Sequence, residues 1–516
     1  MAGHMHMSAS TGGSTNGEYK KIVLWICTIA ALGGLLFGLD QGFIANSLET
    51  IEKVYHLGVE GGEQYAAILA TGGIVGALLS GIFARLLGRK RSLILAGFLF
   101  SSLSIISAML PAFPILSACR FGLGFAVGIA SFIVPLYLSE TAPASVRGSM
   151  GALFQLMITI GIFLIAVTNV FIARIFLDPL VALPIMFVVI AVFSLVMFFG
   201  SFVLPESPRW LMLKGRRADA EKVLTTVLNS KEEVQQELND IENAIKSDKG
   251  AGIGIVFKGY FFKVLLMGVI LQMFQQLVGI NMMIYYAPTI FGYAGMKGLV
   301  AMLTVPTVNM LFTFPAIKLV EKWGRKKLLY IGATIMMITM LAAGLAFASI
   351  GGITDPSQIS GLPKAVLLTA VIIYIFGFAV SWGPVAWIVC SEVFPLEGRE
   401  VGMTITTIVN WTFAGLVMGN ALSFMRMHGN ASIFYVFAGF CVLSMIFLKF
   451  FVPETKGITL EQLESNLKSG KALKDLGNQS GKTALTGGTS HTTVRALSHT
   501  AVLIKVITSN LLFQTH

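Results

Sequence analysis

Apolar residues run in long blocks along this chain, separated at short intervals by a few charged or glycine-rich positions. Twelve blocks are long enough to cross a hydrocarbon core, which takes about 20 helical residues. They lie near 22–45, 64–84, 92–111, 115–138, 150–173, 181–204, 260–290, 298–320, 327–350, 364–390, 400–425 and 431–452. Glycine and proline recur inside them, as membrane helices tolerate where neighbouring helices re-satisfy the freed backbone groups. One long polar interruption, 206–259, separates the first six blocks from the last six. Within it Ala218–Ala244 reads as amphipathic helix with many charges, the core of a set of cytoplasmic linker helices.

The two sets of six echo each other. Gly88-Arg89-Lys90 recurs as Gly324-Arg325-Lys326, and Ser139-Glu140, followed by Arg147-Gly148, recurs as Ser391-Glu392, followed by Gly398-Arg399. Pro205-Glu206-Ser207-Pro208-Arg209 recurs as Pro453-Glu454-Thr455-Lys456-Gly457. The offsets are all about 240–250 residues, the period of a whole six-span unit. The expected fold is an all-α membrane protein, with twelve transmembrane helices in two pseudo-symmetric six-helix bundles. Its expected divisions are a flexible N-terminus (1–20), a first bundle (21–205), a cytoplasmic helical linker (206–259), a second bundle (260–453), a cytoplasmic C-terminal helix (454–477) and a disordered tail (478–516). The tail's apolar stretch Ala501–Phe513 is too short to span.

Composition agrees with this class. Of 516 residues, 55% are hydrophobic and 12% charged, more apolar surface than a soluble domain of this length can hide. The net charge of +11 taken alone suggests nucleic acid. The distribution excludes it, because Lys and Arg fall in short clusters between blocks, as the positive-inside rule expects. Lys20 and Lys21 precede span one, Arg85, Arg89, Lys90 and Arg91 follow span two, and Lys322, Arg325, Lys326 and Lys327 follow span eight. Arg147 and Arg399 follow spans four and ten, whereas the loop after span one carries Glu49, Glu52, Glu60 and Glu63 against Lys53. Both termini are therefore expected in the cytoplasm, with the chain crossing the plasma (inner) membrane many times. No cleavable signal peptide is expected. Cys27, Cys119, Cys390 and Cys441 have no metal-ligand spacing and read as buried packing residues. The seven His residues lie outside the blocks, so neither a metal site nor a cofactor is expected. No intramembrane Ser/His/Asp set, HExxH or P-loop is present, which argues against an enzyme.

Two groups of polar residues carry candidate chemistry. Asp40 is a carboxylate near the outer end of span one, and an intramembrane acid is a functional candidate by default. It lies 19 residues after Lys21, or roughly 28 Å along a helix, while Arg120 lies roughly 9 Å below the outer end of span four. The two reach similar depth and are natural partners, either as a functional pair or as a fixed ion pair between helices. Gln155, Gln275, Gln276 and Asn281 are amides within apolar spans. An amide offers donor and acceptor without charge, which suits a polyol in a dry cavity. The same amides could instead hydrogen-bond between helices. Gly279 and Pro288 are expected to break span seven beside them.

Ten stretches carry a family resemblance: GGLLFGLD (33–40), RFGLGFAVG (120–128), PLYLSETAPASVRG (135–148), FQLMITIGI (154–162), PESPRW (205–210), QQLVGINMMIYYAP (275–288), EKWGRKK (321–327), WGPVAWIVCSEVFP (382–395), NW (410–411) and VPETKG (452–457). Together they make the chain resemble the sugar porters of the major facilitator superfamily, among them the bacterial galactose– and arabinose–proton symporters, over about Lys20 to Gly477. The resemblance implies that Asp40 is the proton site and that Arg120 stabilises its charged form in one conformation and releases it in another. It implies that Gln155, Gln275, Gln276, Asn281 and Asn309 bind sugar hydroxyls, and that Trp387 and Trp411 cover the sugar's C–H face. Gly383-Pro384 is expected to break span ten at the site, Tyr285 and Tyr286 to form a gate, and Phe132 and Asn410 to line the same cavity.

Charges at the cytoplasmic span ends, Arg89, Glu140, Arg147, Glu206, Arg209, Glu321, Arg325, Glu392, Arg399 and Glu454, are expected to latch that side as a network of exposed pairs, each worth about 0–1 kcal/mol alone. Their plainer reading is solvated surface. Two departures from the family pattern stand out. Arg85 takes the place of an acid in the first loop motif, where the second copy keeps Glu321, and Phe132 and Trp382 differ from the residues expected in the galactose and arabinose carriers. The expected function is inward symport of one monosaccharide with one proton by a monomer. A facilitative uniporter, and after it a transporter-like sugar receptor, are the alternatives.

Overall fold

The computed structural model describes residues 21–143, 147–247, 253–296, 298–350, 361–458 and 460–478. The N-terminal 20 residues, the tail with Ala501–Phe513, and the side chains of Arg147 and Glu321 lie outside the described residues. Six long helices open the chain: α1 (Lys21–Tyr55), α2 (Val59–Leu86), α3 (Arg89–Ala108), α4 (Phe113–Thr141), α5 (Arg147–Ile175) and α6 (Pro179–Val203). Three short ones follow: α7 (Pro208–Leu213), α8 (Arg217–Val227) and α9 (Lys231–Ser247). The second half comprises α10 (Gly259–Leu277), α11 (Ile280–Tyr293), α12 (Leu299–Trp323), α13 (Arg325–Ser349), α14 (Gly361–Val380), α15 (Trp382–Val393), α16 (Arg399–Met418), α17 (Ala421–His428), α18 (Ser432–Phe451) and α19 (Leu460–Lys468). Among the described residues, twelve segments are long and apolar enough to cross a membrane, with α10 and α11 forming the seventh and α14 and α15 the tenth. Large apolar side chains such as Trp25, Leu78, Phe98, Val192, Phe199, Leu345 and Phe450 are exposed on the surface, as a lipid-facing belt requires.

The internal repeat is visible in the packing. In the first half α1 lies on α5, α2 on α4, and α3 on α6; in the second, α10 lies on α16, α12 on α14, and α13 on α18. The halves meet through α2 against α16, α5 against α12, and α1 against α11. Small residues allow the closest of these approaches. A Cβ at Gly38 of α1 would fall 2.0 Å from the Ile158 carbonyl oxygen of α5, and one at Gly161 would fall 2.3 Å from that of Leu35. Backbones packed this tightly hold α1 in register with α5 and fix the depth of the side chains beside Gly38.

Helix boundaries differ from the sequence reading at several points. The acidic segment after span one is helix, since α1 runs on to Tyr55 and Glu60 and Glu63 lie in the first turns of α2. The amphipathic linker segment 218–244 divides between α8 and α9. Ser230 Oγ accepts from the Glu233 N–H (3.1 Å) and Glu233 accepts from the Asn229 N–H (3.2 Å), a reciprocal cap that starts α9 afresh. Span eleven ends at Met418 and restarts as α17, with Asn420 Nδ2 donating to the Leu416 carbonyl at 2.9 Å. Span seven breaks at Gly279 (φ +100), whereas Pro288 lies inside α11 without ending it. Span ten breaks at Ser381, which presses against Gly332 of α13 and leaves Gly383-Pro384 within the first turn of α15.

Candidate functional site

The end of the molecule that carries Lys21, the α2–α3 turn and α7–α9 is the linker side, and the other end is the far side. Asp40 lies mid-depth toward the far side and is fully buried. Arg120 Nη1 of α4 donates to Asp40 Oδ1 at 2.6 Å and is itself 1% exposed. Among the described residues, Asp40 Oδ2 and Arg120 Nε and Nη2 have no hydrogen-bond partner. The pair's attraction must therefore offset the desolvation of two ions through a single bond, an arrangement sensitive to either ion losing its charge. The Arg120 guanidinium also lies over the Tyr65 ring of α2, 5.7 Å from its centroid. Tyr285 of α11 is buried within electrostatic reach of both ions and against Gln41.

Beside this pair the Gly279 break gathers an amide cluster. Gln276 Nε2 donates to Gln275 Oε1 (2.8 Å) and to Asn410 Oδ1 (3.0 Å). Asn410 Nδ2 donates to Gln272 Oε1 (2.8 Å) and to Gln275 Oε1. Asn281 Nδ2 donates to Gln276 Oε1, and Gln41 Nε2 of α1 donates to Asn281 Oδ1 at 3.1 Å. Each of these amides is at most 9% exposed. Trp411 packs at a tilt against Phe37 of α1, 5.3 Å between centroids, and fits against Gly73 of α2, where a Cβ would meet the ring at 2.8 Å. The structure thus brings Gln275, Gln276, Asn281, Asn410 and Trp411 together across the junction of the halves. Gln155 of α5, half-buried, and Asn309 of α12, buried, lie on the other pair of helices that joins them. Phe132 is buried on α4, Gly383 is buried in α15, and Trp387 and Pro384 are half-buried. Trp382 does not open onto a cavity: it is fully buried and its Nε1 donates to the Leu329 carbonyl of α13 at 3.0 Å.

The far side is closed by contacts between the halves. Glu63 of α2, 1% exposed, accepts from the backbone N–H of Leu422 (2.6 Å) and of Ser423 (3.2 Å) and from the Ser423 hydroxyl, capping the start of α17. Within the second half, the Tyr286 hydroxyl donates to the Met418 carbonyl.

The linker side is arranged differently. Arg89 donates to Glu140 through Nε (2.8 Å) and Nη2 (2.7 Å), and Ser207 Oγ donates to the same carboxylate. Glu206 accepts from the N–H groups of Arg89 (2.8 Å), Lys90 (3.1 Å) and Ser207 (2.9 Å). The second half repeats the device: Arg325 donates to Glu392 (2.8 Å), Thr455 Oγ1 donates to Glu392, and Glu454 accepts from the N–H groups of Arg325 (2.9 Å) and Lys326 (3.1 Å). The glycines ahead of α3 and α13 have φ +90 and +85, and a Cβ there would meet the capping carboxylates of Glu206 and Glu454 at 2.3 and 2.6 Å. These pairs are not exposed, contrary to the sequence reading, since the Arg89 and Glu140 side chains are 3% and 5% exposed. They also close each half on itself. A contact that crosses between halves here is Arg89 to Glu400, at 3.7 Å. Arg85 contributes its carbonyl, which accepts from Trp210 Nε1 at 3.2 Å. Arg209 is half-buried, and Arg399 Nε reaches the Phe394 carbonyl at 3.4 Å.

Gln41, Tyr65, Glu63 and Gln272 escaped the sequence reading. Gln272 had a signal, standing three and four residues before Gln275 and Gln276 on one helix face. Gln41 adjoins Asp40 in an apolar block. Glu63 had none, because its partners lie about 360 residues away. Among the described residues no group of three or more His, Cys, Asp or Glu could hold a metal ion.

Comparison with known proteins agrees with this geometry. Residues 26–467 match the family described as Sugar (and other) transporter. The chain is 37% identical over 462 residues to the galactose-proton symporter of Escherichia coli (strain K12), covering 89% of this chain and 97% of that one. It is 34% identical over 469 residues to the arabinose-proton symporter of the same strain, covering 89% and 96%. The solved structure of the major facilitator superfamily proton:xylose symporter XylE bound to 6-bromo-6-deoxy-D-glucose superposes with a TM-score of 0.74 at 31% identity, covering 86% of this chain and 98% of that one. The paired six-helix halves, the broken seventh and tenth spans and the match along nearly the whole folded length place this chain in the sugar transporter family of the major facilitator superfamily.

Proposed function

We propose that this protein carries a monosaccharide together with a proton across a membrane by alternating access. The observation that carries the reading is the juxtaposition, at one depth, of a buried Asp40–Arg120 pair with a buried amide cluster spanning both halves. Relatives named galactose-, arabinose- and xylose-transporting proteins support a neutral polyol as cargo. Gln155, Gln275, Gln276, Asn281, Asn309 and Asn410 supply hydroxyl partners, Trp387 and Trp411 apolar faces, with Phe132 and Gly383 in the cavity wall. Asp40 takes the proton, and Arg120 holds the charged form once the proton has left. Tyr285, Tyr286 and Pro384 serve the gate, and the linker-side charges bias which side is open. Both termini lie in the cytoplasm, on the positively charged linker side of the plasma (inner) membrane, and the transporter works as a monomer with the proton as coupling ion and no further cofactor. The first bundle ends at residue 205, the linker at 259 and the second bundle at 453. A proton moving down 100 mV supplies about 2.3 kcal/mol. That sustains a sugar gradient of roughly fifty-fold.

The test is external pH in de-energised vesicles as galactose, glucose, arabinose and xylose are added in turn. Alkalinisation with one of them identifies a substrate and its coupling together. Asp40→Asn is expected to abolish accumulation and spare sugar exchange. Labelled uptake without alkalinisation would make the protein a uniporter and Asp40–Arg120 a structural pair.

A further inference from the structure

We propose that Gln41 is the positioning residue that couples the Asp40 carboxylate to the sugar-binding amides. The inference rests on the symport reading and adds to it a route between its two sites. Asp40 and Gln41 are neighbours on one rigid turn of α1, and successive helical side chains leave the axis about 100° apart. Asp40 thus reaches α4 and Arg120 within the first half, while Gln41 reaches α11 and Asn281 in the second. The groups facing Asp40 are Arg120 from α4, Tyr65 from α2 and Tyr285 from α11, and the Tyr285 hydroxyl also lies against Gln41.

The amide bonds run in one direction. Gln41 donates to the Asn281 oxygen, which leaves the Asn281 nitrogen to donate to Gln276. Gln276 donates in turn to Asn410, and Asn410 to Gln272 and Gln275. Each amide has one carbonyl oxygen and one NH₂, so fixing the first orients those that follow. The Gly279 break frees α11 from the ladder of α10, so Asn281 can follow Gln41 without dragging the whole span. Neutralising Asp40 removes its ionic hold on Arg120 and lets α1, carried together with α5, shift against α4. Gln41 then transmits that shift to the amides that hold the sugar.

The test compares wild type, Gln41→Met and Asp40→Asn in proteoliposomes. The probe is whichever of galactose, glucose, arabinose and xylose gives the largest alkalinisation with wild type. Methionine keeps the unbranched shape and loses the amide. Sugar affinity is measured from pH 5.5 to 8.5, with sugar exchange and the proton-to-sugar ratio measured in parallel. Wild-type affinity is expected to vary about tenfold or more with pH, within the usual range of inter-site coupling. Asp40→Asn is expected to be flat. Gln41→Met is expected to retain exchange, vary less than about twofold with pH, and carry far fewer protons per sugar. Gln41→Asn, an amide on a shorter arm, is expected to lose the same response and stands in if Gln41→Met does not fold. A Gln41→Met protein with the wild-type pH response and proton ratio overturns this inference and leaves symport standing. So does loss of exchange in both Gln41 variants with the pH response of binding intact. Wild type with neither pH response nor alkalinisation overturns the symport reading and this inference with it.

Discussion

The two ends of this molecule use carboxylates in opposite ways. On the far side Glu63 reaches from the first half into the second and caps α17. On the linker side Glu206 and Glu454 cap α3 and α13 inside their own halves, beneath the buried Arg89–Glu140 pair and the partly buried Arg325–Glu392 pair. The same chemistry, an anion on the free N–H groups of a helix start, thus joins the halves at one end and stiffens each half at the other. A cap within a half survives any rocking of the halves. A cap between halves must break whenever that side opens, so the far-side bond contributes directly to the conformational equilibrium.

The largest expected effect is on the linker side. Arg89→Ala strands Glu140 in a buried site, and removing one partner of such a pair costs about 3–5 kcal/mol. Thermal unfolding in detergent is expected to fall sharply, and less for Arg325→Ala, whose pair is more exposed at 10% and 21%. Equal losses would remove the asymmetry between the two copies. Next is Glu63→Ala, which removes a charge-assisted cap of about 1.5–3 kcal/mol. The far-open population is expected to rise about tenfold or more, read as labelling of an Ala70→Cys reporter, buried against Gly415, by an impermeant maleimide. Unchanged labelling would show that the far side is held by packing alone. Gly73→Ala pushes a methyl against Trp411 and is expected to weaken the same closure by about 1 kcal/mol, with a smaller rise in labelling.

The smallest effect concerns pH on the linker side. Glu397, between α15 and α16, accepts from the Tyr260 hydroxyl and from Lys258 (3.2 Å), and Lys468 of α19 lies 3.4 Å away. Tyr260 first, then the two lysines, hold its carboxyl below the ordinary value. A depressed folded value means that the contribution is present above the ordinary carboxylate range and is lost as pH falls through the depressed value. Hydrogen-exchange protection of α19 is expected to drop in acid, and Glu397→Gln is expected to show the low protection at every pH.

The sequence by itself determined the class, the span count, the repeat and the elements that break. Apolar run length, charge clusters and glycine placement act locally, so Gly279 announces its own left-handed turn. Several residues of the candidate site stood out in the sequence for the same reason, because a carboxylate or amide in an apolar block is costly unless partnered. Which partner each would find was decided only by the tertiary structure. Glu63 looks like any loop acid until α17 is brought onto it, and Gln41 looks like a neighbour of Asp40 until α11 presents Asn281. Trp382, which departs from the family pattern, finds the Leu329 carbonyl, since an indole N–H buried in α15 takes the acceptor that α13 provides. Hydrogen bonds reach only about 3 Å, so contacts between residues hundreds of positions apart exist only once the two halves are packed together.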